Sequence, residues 1–399
     1  MRIKHLVIFL IAIVIFVSCS ETNESSLVSE ITGSIDSLKQ IYAPDTRIAL
    51  WTVSIKKNDA AISVAGEVGD NNAYTALLSL KTKFPSVKFY VILLPESNPK
   101  STHFALINNS VSSIRRKTTR SSEMLTQALL GTPVKVFKKK GDWYLIQTPN
   151  QYFGWINKAD IIMLNAARLH KLQNERKIVF NRQYGFSYSK PDNHSQVVSD
   201  LVIGDILPVT GNKNQYYKVE YPDGRIAFVR KDEVINFQTL IGRKPTGKGL
   251  VQTALKFNGI PYLWGGFSSK AIDCSGFTSN IYFMNGIILQ RDASQQTKSG
   301  KEITTDFDFT KLKPGDLLFF GRRATDSLPE KVTHVAMYIG DGEFIHSSGK
   351  VRLSSMDSTK SNFIPSYPSR FVRAVRIIGQ ENGKTIQRIK NNDFYKILR

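Results

Sequence analysis

Cys274, His334 and His346 are the residues in this 399-residue chain whose types and spacing could make a nucleophile and its base. Cys274 stands in Ile272-Asp-Cys-Ser-Gly-Phe, ahead of apolar residues at Phe277, Ile281, Tyr282 and Met284 that fit a helix. Asp273 is placed to cap that helix, which puts the thiol in its first turn. Unpaired backbone N–H groups and the positive end of the helix dipole favour thiolate there. Ser275 after the cysteine and Gly265-Gly266 before it argue for a tight, accessible turn rather than a packed core position. His334 lies in Val332-Thr-His-Val-Ala-Met-Tyr-Ile-Gly340, a strand by alternation, and His346 in Glu343-Phe-Ile-His-Ser-Ser. A two-residue Asp341-Gly342 loop would set Met337 opposite His346 and put the histidines on opposite faces. A three-residue Gly340-Asp341-Gly342 loop sets Ala336 opposite His346, so that both share a face. A Cys nucleophile needs a base His oriented by a second polar group, so the three-residue loop is expected.

The other cysteine has a different setting. A cationic start (Met1–His5), twelve apolar residues (Leu6–Val17) and Ser18 before Cys19 have the three parts of a secretory signal. Twelve residues make a helix of ~18 Å, too short for a ~30 Å hydrocarbon core. The arrangement resembles the lipobox of bacterial lipoproteins, although Phe16 stands where that pattern usually has Leu. By that resemblance residues 1–18 are a signal peptide and Cys19 becomes the acylated first residue, anchoring an exported protein to a membrane at the periplasm or cell surface. Residues 19–30 then read as a polar tether. Cys274 would be left without a disulfide partner, and a lone thiol in an exported protein suits catalysis.

Residues 31–108 read as a small α+β domain without a His/Cys/Asp cluster: strands at Arg47–Lys56, Ala61–Val68 and Val87–Leu94, and a helix at Asn72–Phe84. An internal repeat follows. Gly131–Ile161 aligns without gaps to Gly204–Val234 at an offset of 73, matching Trp143 with Tyr216, Tyr144 with Tyr217 and Trp155 with Phe228. Short strands broken by Gly and Pro turns suit a small barrel, with the aromatics expected mostly in its core. The two copies, placed at 109–170 and 178–240, resemble bacterial SH3-like domains. Ala227 stands where the first copy has Gly154. A Lys244-Pro-Thr-Gly-Lys248 linker leads to a last domain at 249–379. A basic tail, 380–399, has helix- or strand-like spacing and no assigned role.

Four segments of the last domain, Asp273-Cys-Ser-Gly276, Thr333-His-Val-Ala336, Lys313-Pro-Gly-Asp-Leu-Leu-Phe-Phe320 and Phe344-Ile-His346, together resemble the NlpC family of papain-like cell-wall cysteine peptidases. The resemblance covers about Gly249–Ile378. It implies an α+β fold with Cys274 as nucleophile, His334 as base and His346 as the orienting residue. Tyr262 and the Cys274 N–H fall at the oxyanion site. Two SH3-like barrels ahead of such a domain resemble the subgroup that cleaves the γ-D-glutamyl–diaminopimelate bond of stem peptides with a free L-Ala amine. In that subgroup the first barrel supplies an acid and a tyrosine, which Glu123 and Tyr152 match in position. Asp273, Ser275 and Ser294 (in Arg291-Asp-Ala-Ser-Gln-Gln296) are further expected substrate contacts.

Charge agrees with an anionic setting. Lys and Arg number 54 against 33 Asp and Glu, a net +21, and the excess is concentrated between Lys100 and Arg182, where Glu123 is one of four acids. Nucleic acid is not expected, for want of a motif and because of export. No metal or other cofactor is expected, since zinc-type ligand spacings are absent. A monomer is expected. Two other functions fit the same features: a non-catalytic wall-binding lipoprotein, and a cysteine amidase or endopeptidase acting on intact cross-linked peptidoglycan.

Overall fold

The computed structural model describes residues 24–58, 61–96, 102–306 and 308–399, and the chain divides into two units, Met1–Ser97 and Asn98–Arg399. The signal segment 1–18 and Cys19 lie outside the described residues. Among those described, no helix is long and apolar enough to cross a membrane.

In the first unit a helix spans residues 24–42. It takes over residues 24–30 of the expected tether, because Leu27, Val28, Ile31, Ile35 and Leu38 recur at helical spacing and join one core. Strands Ala61–Val68 and Lys88–Leu93 pair in parallel across the helix Asn71–Lys83, whose start Asp70 caps. The strand expected at Arg47–Lys56 begins only at Ser54. Asp45 bends the chain before it by accepting from the Arg47 backbone N–H and guanidinium.

The second unit holds two seven-stranded antiparallel sheets of one design. Strands of the first are Phe104–Ile107, Val111–Arg115, Met124–Leu129, Pro133–Lys140, Trp143–Gln147, Phe153–Asn157 and Ile161–Met163. Each has a counterpart 73 residues later, from Lys177–Phe180 to Val234–Asn236, and the strand order is the same in both. The repeat therefore reaches further back than the aligned segment. Phe104–Ile107 belongs to the first barrel rather than to the preceding domain, since it pairs with Pro133–Lys140 and Ile161–Met163. The Gly154/Ala227 difference has a steric reason. A methyl at 154 would lie 2.4 Å from Ile114, whereas the equivalent of Ile114 in the second barrel is the smaller Ser187. The barrel cores are mainly aliphatic, and the repeated aromatics join them only in part: Tyr144 and Tyr217 pack against the cores half-buried, Trp155 is half-buried too, and the cations of Lys139, Arg176 and Lys138 lie over the three rings.

The last domain packs the fully buried helix Cys274–Phe283 against a six-stranded antiparallel sheet. In order, its strands are Lys301–Thr304, Phe371–Arg376, Leu317–Arg322, Lys331–Gly340, Glu343–Ser348 and Lys350–Ser355. The basic tail is built into this unit. Ile386–Arg388 pairs with Ile287–Leu289, Tyr395 packs between Phe237 and Phe283, and the Asn392 amide donates to Pro149 of the first barrel.

Candidate active site

Asp273 caps the nucleophile helix by accepting from Gly276 N–H at 2.7 Å, and Cys274 is the helix's first residue. Cys274 is only 8% exposed. Burial pushes it up to about 12, the charge of Asp273 adds to the rise, and backbone N–H groups of Val335 and Ser275 offset only part of it. The expected resting thiolate is thus replaced by a neutral thiol. A helix terminus lowers a thiol's pKa when solvent also reaches the sulfur, and here the protein covers it.

The bond from Val335 places the thiol against the strand that carries His334. Its hairpin closes differently from expectation. Gly340 pairs with Glu343, so the loop is the two residues Asp341 and Gly342, both at positive φ as a type I′ turn requires. A bulge at Ile339 then shifts the register by one, giving Met337 opposite Ile345. The bulge does what the longer loop was expected to do. His334 Nε2 and His346 Nδ1 lie 2.8 Å apart. His346 Nε2 lies 3.0 Å from Ser354 Oγ, and the Tyr367 hydroxyl lies 3.1 Å from His346 Nδ1. If His346 donates from Nε2 to Ser354, the single lone pair of its Nδ1 accepts from His334 Nε2–H and is shared with the more distant Tyr367 hydroxyl, which leaves His334 Nδ1 as the basic atom. Burial holds His334 down at about 4, with Arg370 and Arg352 adding to the shift, and His346 down at about 2. The base is therefore neutral above pH ~5, and kcat/KM should stay flat to that point and fall only as His334 protonates near 4. A pH–rate profile with its acid limb near the free-histidine value of about 6.5 would contradict this.

On the barrel side Asp273 has a different occupation from the one expected. Its Oδ1 accepts from Gly276 N–H, Ser275 Oγ and Arg291, and its Oδ2 from Gly265 N–H and Arg291 at 2.6 Å. Five donors fill the roughly four lone-pair sites of a carboxylate, leaving none for a substrate ammonium. Ser275 Oγ is likewise engaged by Arg291 at 3.0 Å. Arg291, 1% exposed, also donates to Thr126 of the first barrel at 2.7 Å. Nearby, Gln127 accepts from Phe267 N–H, and a methyl on Gly265 would lie 2.6 Å from the Met124 carbonyl. Glu123 does stand beside the Tyr262–Gly266 turn, 3.4 Å from the Trp264 indole N–H, but its other oxygen is paired with Arg116 at 2.7 Å. Tyr152 is buried and donates to Asp292 at 3.0 Å. Ser294 is half-buried on the short helix Ala293–Gln296.

A cleft of 380 Å³ opens on the other side, lined by Tyr262, His334, Tyr367, Arg370 and the chain at 347–349. Burial, with the Asp273 carboxylate nearby, pushes the Tyr262 phenol up to about 12, so it remains an O–H donor. Tyr367, Ser354 and Arg291 escaped the sequence reading. Their only signal is position: Ser354 meets His346 from the neighbouring strand and Tyr367 from a later helix, and Arg291 opens the segment quoted for Ser294. Among the described residues no cluster of three His, Cys, Asp or Glu could hold a metal.

Two family models match: NlpC/P60 over residues 259–365 and the bacterial dipeptidyl-peptidase SH3 domain over 114–161. A γ-D-glutamyl-L-lysine dipeptidyl-peptidase of Bacillus cereus is 33% identical over 238 residues, 57% of this chain and 68% of that protein. The chain belongs to the NlpC/P60 family. Dipeptidyl-peptidase 6 of Lysinibacillus sphaericus is 30% identical over 253 residues, covering 59% of this chain and 85% of that protein. A crystal structure of an NlpC/P60 family protein from Bacillus cereus matches with a TM-score of 0.58 and 27% identity, over 69% of this chain and 99% of that one. This NlpC/P60 chain is a cysteine peptidase with an α+β catalytic domain behind SH3-like barrels.

Proposed function

We propose that this NlpC/P60 peptidase hydrolyses the γ-D-glutamyl–diamino acid bond of peptidoglycan stem peptides, diaminopimelate included, and prefers a free N-terminal L-Ala. The observation that carries the reading is the buried Cys274 held against the His334 strand, with His334 and His346 2.8 Å apart. The relatives' names supply the bond class. His334 Nδ1 takes the thiol proton as Cys274 Sγ attacks the γ-carbonyl carbon, and the Cys274 N–H and Tyr262 O–H receive the developing oxyanion. The protonated His334 then gives that proton to the departing amine, leaving a thioester. Water, deprotonated by His334, attacks the thioester and the thiol is restored. The complete Cys/His/His set favours this over a non-catalytic wall-binding role.

Glu123 is the barrel carboxylate with an open face, and it reads the substrate ammonium beside Trp264, with Tyr152 and Ser294 shaping the wall. Because Glu123 is half-exposed and shared with Arg116, the preference for L-Ala-γ-D-Glu-diaminopimelate over its N-acetyl form is expected at about tenfold or more in kcat/KM. Steady-state kinetics on both, with wild type and Glu123→Gln, tests this. Equal rates on the two substrates, or a Gln variant with full discrimination, would overturn it. Export and anchoring through acylated Cys19 rest on Leu6–Val17 and Ser18 alone. Cys19→Ser should move the protein from the membrane fraction to the soluble one, and unchanged partition would refute the anchor.

A further inference from the structure

We infer that the cleft on the His334 side is a carboxylate-binding subsite, in which Arg370, backed by Arg352, takes a carboxylate of the diamino acid that leaves. The inference rests on the proposed hydrolysis and deepens it to the departing half of the substrate. His334 must protonate the leaving amine, so that nitrogen lies at His334 and the Cα of the departing residue lies in the space beside it. Arg370 lines that same space, with its guanidinium 3.4 Å from Thr333 Oγ1, the residue next to the base. Arg352 pairs in register with His346, so the two side chains project from one face of the sheet. Both arginines are exposed, and neither has a carboxylate partner among the described residues.

Their charge is felt at the catalytic pair: Arg370 and Arg352 both depress His334, and Arg352 depresses His346. Two unpaired guanidinium groups beside a base that has to accept a proton oppose that step, so their placement needs a compensating use. A substrate carboxylate supplies one. It forms charge-assisted bonds to the fork of Arg370 and screens the base from its charge. No residue of the first barrel lines this cleft, so the subsite is separate from the Glu123 side. The carboxylate has two sources. The α-carboxylate is carried by any C-terminal diamino acid, and the side-chain carboxylate by diaminopimelate but not by lysine.

Four substrates separate these sources: L-Ala-γ-D-Glu followed by L-Lys, L-Lys amide, diaminopimelate, or diaminopimelate amidated at the α-carboxyl. Wild type should favour a substrate that carries the recognised carboxylate over the L-Lys amide by about tenfold or more in kcat/KM, and Arg370→Gln should bring that ratio close to one. Loss of preference confined to the L-Lys pair assigns the α-carboxylate. Loss confined to amidated diaminopimelate against L-Lys amide assigns the side-chain carboxylate. A wild type that cleaves all four substrates at equal rates would overturn the subsite. So would an Arg370→Gln variant that slows all four substrates alike while keeping the ratio. Failure of wild type to cleave any of them would instead refute the hydrolysis on which the subsite depends.

Discussion

Cys274→Ala is expected to lower kcat/KM for stem-peptide hydrolysis by about 10⁴-fold or more, the scale of removing a nucleophile from a coupled catalytic set. The fold should persist. Cys274 sits among buried residues such as Ile272 and Phe277, and exchanging SH for H there removes one atom's packing, a cost on the order of 1 kcal/mol. The variant should therefore still bind substrate, which calorimetric titration with the tripeptide would show. Hydrolysis at the wild-type rate by a folded alanine variant would remove Cys274 from the chemistry.

Arg291→Met should have the largest effect on stability. The substitution leaves the Asp273 carboxylate buried without its 2.6 Å ion pair and cuts the bond to Thr126. Removing one partner of a buried pair typically costs about 3–5 kcal/mol, because the other charge stays desolvated. The cost falls on the helix cap that places the thiol and on the seam between barrel and catalytic domain. Thermal unfolding should shift down on the order of 10 °C, and kcat should fall more than KM rises, since the displaced group is the nucleophile rather than a substrate contact. Adding Asp273→Asn should recover part of the stability by removing the orphaned charge. A melting temperature within a degree of wild type would show that the pair contributes little.

The parts that were legible in the sequence are those written locally. Asp273 before an apolar helical run announces a cap and a first-turn cysteine, and the structure has both. The 73-residue offset announces a repeated sheet, and the repeat continues through strands whose residues differ, because pairing order and burial constrain them less strictly than identity does. What the sequence hides is non-local. The bulge at Ile339 and the two-residue turn produce the same histidine pairing as a longer loop, so residue spacing alone could not separate the two. The covering of Cys274 comes from chain segments far from it in sequence, and with it the shift from thiolate to thiol. Asp273 reads as an acid available to substrate until Arg291, 18 residues on, is seen to fill it. The aromatics of the barrels read as core because rings usually are, but they sit half-buried at its edge, where Trp155 and Tyr217 carry a lysine or arginine over the ring. The tail's spacing fits both a strand and a helix for the plain reason that it forms one of each.

The most direct test of the account is mass spectrometry of the products from purified protein and L-Ala-γ-D-Glu-diaminopimelate, run beside the L-Lys peptide. Wild type should release the dipeptide L-Ala-γ-D-Glu and the free diamino acid, and Cys274→Ala should release neither. Release of L-Ala alone, cleavage at any other bond, or equal product from the alanine variant would contradict it.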